Sequence, residues 1–319
     1  MQDQLSHIRT DLAIESAEVF ENENDPWNGI CIEEVFHEET EIKVTTVKVE
    51  NEAGAQKLHK PQGTYITIES PQLPKWSEGY HDEISKELYK QLDTLIPDIR
   101  RKKLLVVGIG NKDITPDALG PLVVEHLFIT RHLIKEYGMD SEVTKGMGIT
   151  SAIAPGVMAQ TGMEAVEIIN GVIKETQPEV AIVIDALAAR NMQRLNSTIQ
   201  VTDTGISPGA GVGNQRNAIN KESLGIPVIA IGIPTVIDAA TIVNDTMSTL
   251  MNVLEENSPF KEAYEATKGF DEQEKYQLMR ELMEPQMANM FVTPKDIDET
   301  MNRISYTLSE AINRLCHNI

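Results

Sequence analysis

The sequence predicts an α/β fold: a mostly parallel or mixed sheet flanked by helices, with additional N-terminal β-strands and a helical C-terminal region. Three observations carry this reading. Short, wholly apolar runs recur at Leu104–Ile109, Val180–Leu187 and Pro227–Ile233, as expected for strands covered on both faces. Stretches with helical spacing lie between them, the alternation of βαβ units. Ahead of them, two runs alternate apolar and polar residues with β-branched side chains, the pattern of half-buried strands.

In chain order, Ile8 to Phe20 has the texture of a short helix. The Asn- and Pro-punctuated stretch that follows, through Asn28-Gly29, reads as an exposed linker. Strands are expected over 41–50 and 64–69. The amphipathic stretch Leu119 to Tyr137 sets Leu122, Val123, His126, Leu127 and Leu133 near helical spacing. A helix over Glu164–Glu175, a strand over Thr198–Thr202 and a helix over Ala239–Leu254 complete the α/β part. The tail from Lys261 to Asn318 is helical in pattern, with breaks near Pro285 and Pro294.

Composition narrows the function classes. The 319 residues carry 28 basic and 49 acidic side chains, a net charge of −21. Such a surface repels phosphate backbones, so no direct nucleic-acid partner is expected. No apolar stretch approaches the roughly 18 residues of a bilayer span. The N-terminus shows no signal pattern, and Cys31 and Cys316 lack CxxC spacing, as in free thiols of a reducing cytoplasm.

In a parallel α/β sheet, ligands gather beyond the carboxyl ends of the strands. Three such ends contain polar residues: Gly108–Gly120, Ile184–Arg190 and Gly232–Asp238. Asp185 interrupts an apolar run, where an ionised carboxylate is costly without a partner or a purpose; a hydrogen bond to a neighbouring loop is the structural alternative. Asp117, in Thr115-Pro116-Asp117, also fits a helix start, with Thr115 as the cap. Its place after the first apolar strand would bring it near Asp185. Two adjacent carboxylates share a proton, so that one activates water while the other donates a proton, which suits amide hydrolysis. The same carboxylates could hold a metal, but no histidine lies between residues 133 and 316 and no HExxH spacing occurs. A metal is therefore disfavoured, and no cofactor is expected. Asp238 reads as a helix cap. Gly108-x-Gly110 lacks the third glycine of a dinucleotide fingerprint. The glycines Gly209, Gly211 and Gly213 lack a phosphate-loop lysine and read as a loop that a substrate backbone can approach, with a plain structural loop as the alternative.

Several motifs together resemble the germination proteases of spore-forming bacteria. They are RTDLA at 9–13, GTYITIE at 63–69, LLVVGIGN at 104–111, TPDALGPLVVEHL at 115–127, SAIAPGVM at 151–158, IDALAAR at 184–190, DTGISPGAGVGN at 203–214 and LGIPVIAIGIPTVIDA at 224–239. The resemblance spans essentially the whole chain and is weakest from about 255 to 290. It implies an atypical aspartic endopeptidase that degrades small acid-soluble spore proteins during germination in the spore core, assembled as a homotetramer. It maps the family's two catalytic aspartates onto Asp117 and Asp185. It also implies likeness in fold to hydrogenase-maturation peptidases, whose paired carboxylates bind nickel, so a metal-dependent peptidase is the alternative. Family substrates are cut after the acidic residue of a Thr/Ser-acidic-apolar-Ala sequence. Thr10-Asp11-Leu12-Ala13 fits that pattern, which implies a zymogen that cuts itself between Asp11 and Leu12. Residues 1–11 would then be a pro-segment and 12–319 one peptidase domain, with a β-rich part over 12–99 and a catalytic part over 100–319.

Overall fold

The computed structural model describes residues 10–18, 28–75, 78–139, 141–209, 217–243, 246 and 290–317. Gly211, Gly213, residues 19–27 with most of the expected linker, most of the pro-segment expected over 1–11, the end of the helix expected over 239–254 and the tail from 261 to 289 lie outside the described residues.

The apolar runs form the centre of one sheet. Strand β4 (Lys103–Gly108) pairs in parallel with β5 (Ile149–Ile153) and β6 (Val180–Ala189), and β6 pairs in parallel with β8 (Val228–Asp238). The N-terminal strands do not form a separate unit. β1 (Ile30–His37), β2 (Ile42–Val49) and β3 (Gly63–Glu69) make an antiparallel meander. β7 (Thr198–Thr202) joins it to β8, antiparallel on both sides. The sheet is therefore mixed, in the order β1-β2-β3-β7-β8-β6-β4-β5, with the two-residue β9 (Phe291–Val292) paired to β8.

Helices cover both faces. Alternate residues Leu104, Val106, Ile182, Ile184, Ile229 and Ile231 pack against α3 (Glu78–Leu95), α4 (Leu119–His126) and the C-terminal helix (Ile297–Cys316). The intervening Leu105, Val107, Ala181 and Val183 pack beneath the helix over Ala165–Thr176. On that second face, the N-terminal strands are covered by α1 (Ala13–Glu18) and α2 (Glu52–Leu58). Burial of both faces is what makes the central strands read as unbroken apolar runs. Among the described residues, no helix is long and apolar enough to cross a membrane, and Cys31 and Cys316 are free thiols.

Several elements depart from the sequence reading. The stretch 119–137 is two helices rather than one, α4 and α5 (Arg131–Tyr137). Buried Thr130 separates them: its hydroxyl donates to Gly148 O (2.5 Å) and its N–H to Thr150 O (3.2 Å). That tie fastens the chain to β5 just where the helix would have continued. β6 runs two residues past Leu187 through a register shift, and β8 runs five past Ile233. The α1 helix is shorter than Ile8–Phe20 and begins only at Ala13.

His317 ties the end of the C-terminal helix to the segment before β5. The Nδ1 atom of buried His317 accepts from Gly148 N (3.3 Å), so Nε2 carries the proton, 3.0 Å from Phe128 O. Burial lowers its pKa below the ordinary 6.5, opposed by the Phe128 hydrogen bond and helped by Arg100. A folded-state pKa below the unfolded one stabilises the native state above about pH 6.5 and loses that stability as pH falls through and below it. The melting temperature of the wild type should therefore fall more steeply between about pH 7 and pH 5 than that of His317→Gln. Parallel curves in differential scanning calorimetry would contradict this.

Candidate active site

The backbone around Asp117 is set by close approach. β4 leaves the sheet at Gly108 and the chain returns into α4 at Gly120. A Cβ at Gly108 would lie 2.1 Å from Gly120 O, and one at Gly120 would lie 2.3 Å from Ile109 O. Gly110 adds a positive φ of 121°, and a Cβ there would sit 1.9 Å from Asp117 O. The glycines of this turn thus have a packing role.

Asp117 does not cap α4, and Thr115 is not a cap. Thr115–Asp117 is a single 3-10 turn; the Thr115 hydroxyl donates to Asp298 Oδ1 (2.7 Å). The Asp117 carboxylate turns back, and its Oδ2 accepts the Asn111 N–H (2.8 Å). Thr235, on β8, donates to Pro116 O (2.7 Å) and ties the turn to the neighbouring strand end.

Asp185 lies in β6 and is buried. Its Oδ1 accepts the N–H of Ala186 (2.9 Å). Asp185, Gly232 and Gln200 are register partners across β6, β8 and β7, so they stand on one face of the sheet. Gly232 contributes by lacking a side chain: a Cβ there would be 2.4 Å from Leu187 Cδ1. Leu187 therefore lies over the β8 backbone.

Asp117 and Asp185 meet at one cavity of about 530 Å³. Its lining also includes Asp11, Leu187, Gly209 and Thr235. Both aspartates line this cavity. Each has one oxygen fixed by a backbone N–H, which orients it. Of the other sequence candidates, Asp238 is buried at the end of β8, where its Oδ1 accepts the Ala240 N–H (2.9 Å), as a cap does. Among the described residues, no group of three or more His, Cys, Asp or Glu side chains is arranged to hold a metal.

Asp11 brings its segment to the wall of this cavity. Asp11 pairs with the end of β6: its N–H donates to Ala188 O (3.1 Å), and its Oδ2 accepts the Ala188 N–H (2.9 Å). Leu12 is fully buried with Ile14 and Leu187. Beyond it, the Glu15 carboxylate accepts from Arg190 N (2.8 Å), Asn191 N (2.9 Å) and the Thr10 hydroxyl. Buried Arg194 clamps the end of α1 with paired bonds to Glu18 (2.8 and 2.6 Å) and one to Glu69 (2.8 Å). These hydrogen bonds to Glu18 and Glu69, and their charges, outweigh burial and hold the guanidinium pKa above its ordinary value. Bidentate geometry of this kind fixes orientation as well as energy.

Sequence reasoning missed Lys60, Gln200 and Arg194. Lys60 Nζ donates to Asp11 O (2.9 Å), and Gln200 Nε2 donates to the same oxygen (3.2 Å). Gln200 Oε1 accepts the N–H of Ala13 (2.7 Å). A polar residue in a buried strand was the available signal for Gln200. It is the signal that singled out Asp185.

The family model described as germination protease matches residues 8–270. A germination protease of Clostridium tetani is 44% identical over 308 residues, covering 96% of this chain and 94% of that one. One from Bacillus velezensis is 38% identical over 348 aligned residues, covering 97% and 93%. Among solved structures, a hydrogenase maturation protease from Thermococcus kodakarensis matches at 20% identity with a TM-score of 0.30, covering 46% of this chain and 80% of that one. Family match and relatives extend across the strand ends, the paired aspartates and the docked Thr10–Ala13 segment alike, and by them this chain is a peptidase belonging to the germination protease family.

Proposed function

We propose that the chain is an aspartic endopeptidase, made as a zymogen, in which Asp117 and Asp185 form the catalytic dyad and cut first between Asp11 and Leu12. The observation that carries this reading is the course of the Asp11–Leu12 segment, with Asp11 lining the cavity that both aspartates line. Residues 1–11 are the pro-segment and 12–319 the peptidase domain. In trans the substrates are small acid-soluble spore proteins with the same Thr/Ser-acidic-apolar-Ala pattern, met in the spore core, and the enzyme works as a homotetramer.

The chemistry follows from a pair sharing one proton. The ionised carboxylate takes a proton from water as its oxygen adds to the Asp11 carbonyl carbon. The protonated partner delivers its proton to the Leu12 nitrogen as the C–N bond breaks. The products are an Asp11 carboxyl terminus and a free Leu12 amine. The sequence on either side has recognisable seats: Ala188 N–H for the acidic side chain and the Leu187–Ile14 bed for the apolar one.

The test uses a synthetic peptide spanning residues 6–17, incubated with the purified protein with and without a chelator. The account expects one cut, after the aspartate, at the same rate in both samples. Cleavage lost with chelator and restored by metal would replace it with a metal-dependent peptidase using the same carboxylates.

A further inference from the structure

The dyad activates water and donates a proton, but amide hydrolysis also places negative charge on the carbonyl oxygen. Preorganised donors aimed at that oxygen are usually the largest single contribution to such catalysis. The carbonyl preceding the Asp11–Leu12 bond has two donors from elements remote in sequence. Lys60 follows α2 and reaches Asp11 O at 2.9 Å; Gln200 stands on β7 and reaches it at 3.2 Å. Neither is a surface contact of convenience. Lys60 is half-buried between Asp11 and the wall of a second cavity, of about 210 Å³, that Asp11, Tyr65 and Gln200 also line. Gln200 is buried, and its amide is used at both ends, donating to Asp11 O and accepting from Ala13 N. That double use fixes the amide orientation and brackets the scissile bond from the residue before it to the second residue after it.

We propose that Lys60 and Gln200 form the oxyanion clamp of this peptidase, holding the carbonyl oxygen of the acidic residue before the cut. This rests on the reading of the chain as a self-processing endopeptidase. Water adds to the carbonyl carbon, the carbonyl π electrons move to oxygen, and the Lys60 ammonium and Gln200 amide stabilise that charge without transferring a proton. The oxygen reforms the carbonyl as the Leu12 nitrogen leaves with the dyad's proton. The clamp frees that proton for the leaving group. A lysine here also faces the negative side chain of Asp11, which its charge favours, so the same residue contributes to the preference for an acidic residue before the cut. Burial lowers the Lys60 pKa, and the charges of Asp11 and Glu15 oppose that.

The experiment measures first-order self-cleavage by intact mass in wild type, Lys60→Met, Lys60→Arg and Gln200→Glu, with hydrogen exchange at the Ala13 amide as a separate readout of docking. Gln200→Glu keeps the acceptor for Ala13 and loses the donor to Asp11. Removing one donor should slow cleavage about 10²-fold while the Ala13 amide stays protected, and Lys60→Arg should recover part of the loss. Cleavage within about twofold of wild type in both Lys60→Met and Gln200→Glu would overturn the clamp. Slow cleavage with Ala13 protection lost in both variants would also overturn it, assigning the pair to docking. A folded wild type that never cuts would remove the underlying reading and the clamp with it. A wild type that cuts beside equally fast Lys60→Met and Gln200→Glu variants removes the clamp alone.

Discussion

Gly120→Ala should destabilise the protein by roughly 3 kcal/mol or more, the upper end of what overpacking costs. The added methyl would meet Ile109 O at 2.3 Å, Ile109 N at 2.5 Å and Gly108 C at 2.7 Å, all backbone atoms of the strand exit. No side chain can rotate out of the way, so α4 must lift from β4. The helix contributes Leu119 and Val123 to the main core, both fully buried, and movement there opens voids. The same shift would carry Asp117, two residues before the helix begins, away from Asp185. Activity should therefore fall even in the surviving folded fraction. Urea unfolding followed by circular dichroism checks the first part; an unchanged midpoint would contradict the close-approach account.

Asp185→Asn should reduce cleavage of the 6–17 peptide by about 10²–10⁴-fold, the usual contribution of a positioned acid or base. The fold should survive it. The amide is isosteric, its oxygen can still accept the Ala186 N–H, and a buried charge is removed rather than introduced. Asp117→Asn should lose activity similarly, since its Asn111 N–H contact can also be kept by an amide oxygen. Because the two act as a unit, the double variant should be little worse than either single one.

Much of this was legible from residues alone. Leu104–Ile109, Val180–Leu187 and Pro227–Ile233 stand within one residue of the starts of β4, β6 and β8, because strands buried on both faces admit few polar residues. Asp185 was conspicuous for the same reason. Strand β1 was not legible: its middle is exposed, with Val35 and Phe36 facing outward, so it lacks the alternation of a half-buried strand. Helix α3 was missed because its apolar stripe is narrow: Ile84, Leu88 and Leu92 lie at steps of four within an otherwise polar run. Lys60 and Gln200 had no shared signal. They meet because β7 runs antiparallel between β3 and β8, an insertion that depends on long-range pairing. The docked course of Thr10–Ala13 was likewise beyond local pattern, because its seat depends on Ala188, Leu187 and Glu15's backbone partners.

The central claim is that Asp117 and Asp185 cut the chain's own Asp11–Leu12 bond. It is tested most directly by intact mass and N-terminal sequencing of wild type, Asp117→Asn and Asp185→Asn after incubation at mildly acidic pH. The account predicts that wild type loses residues 1–11 and begins at Leu12, while both variants, folded and assembled as the wild type is, keep their full mass. Processing at the same bond in both variants would contradict it and leave the aspartates a structural role.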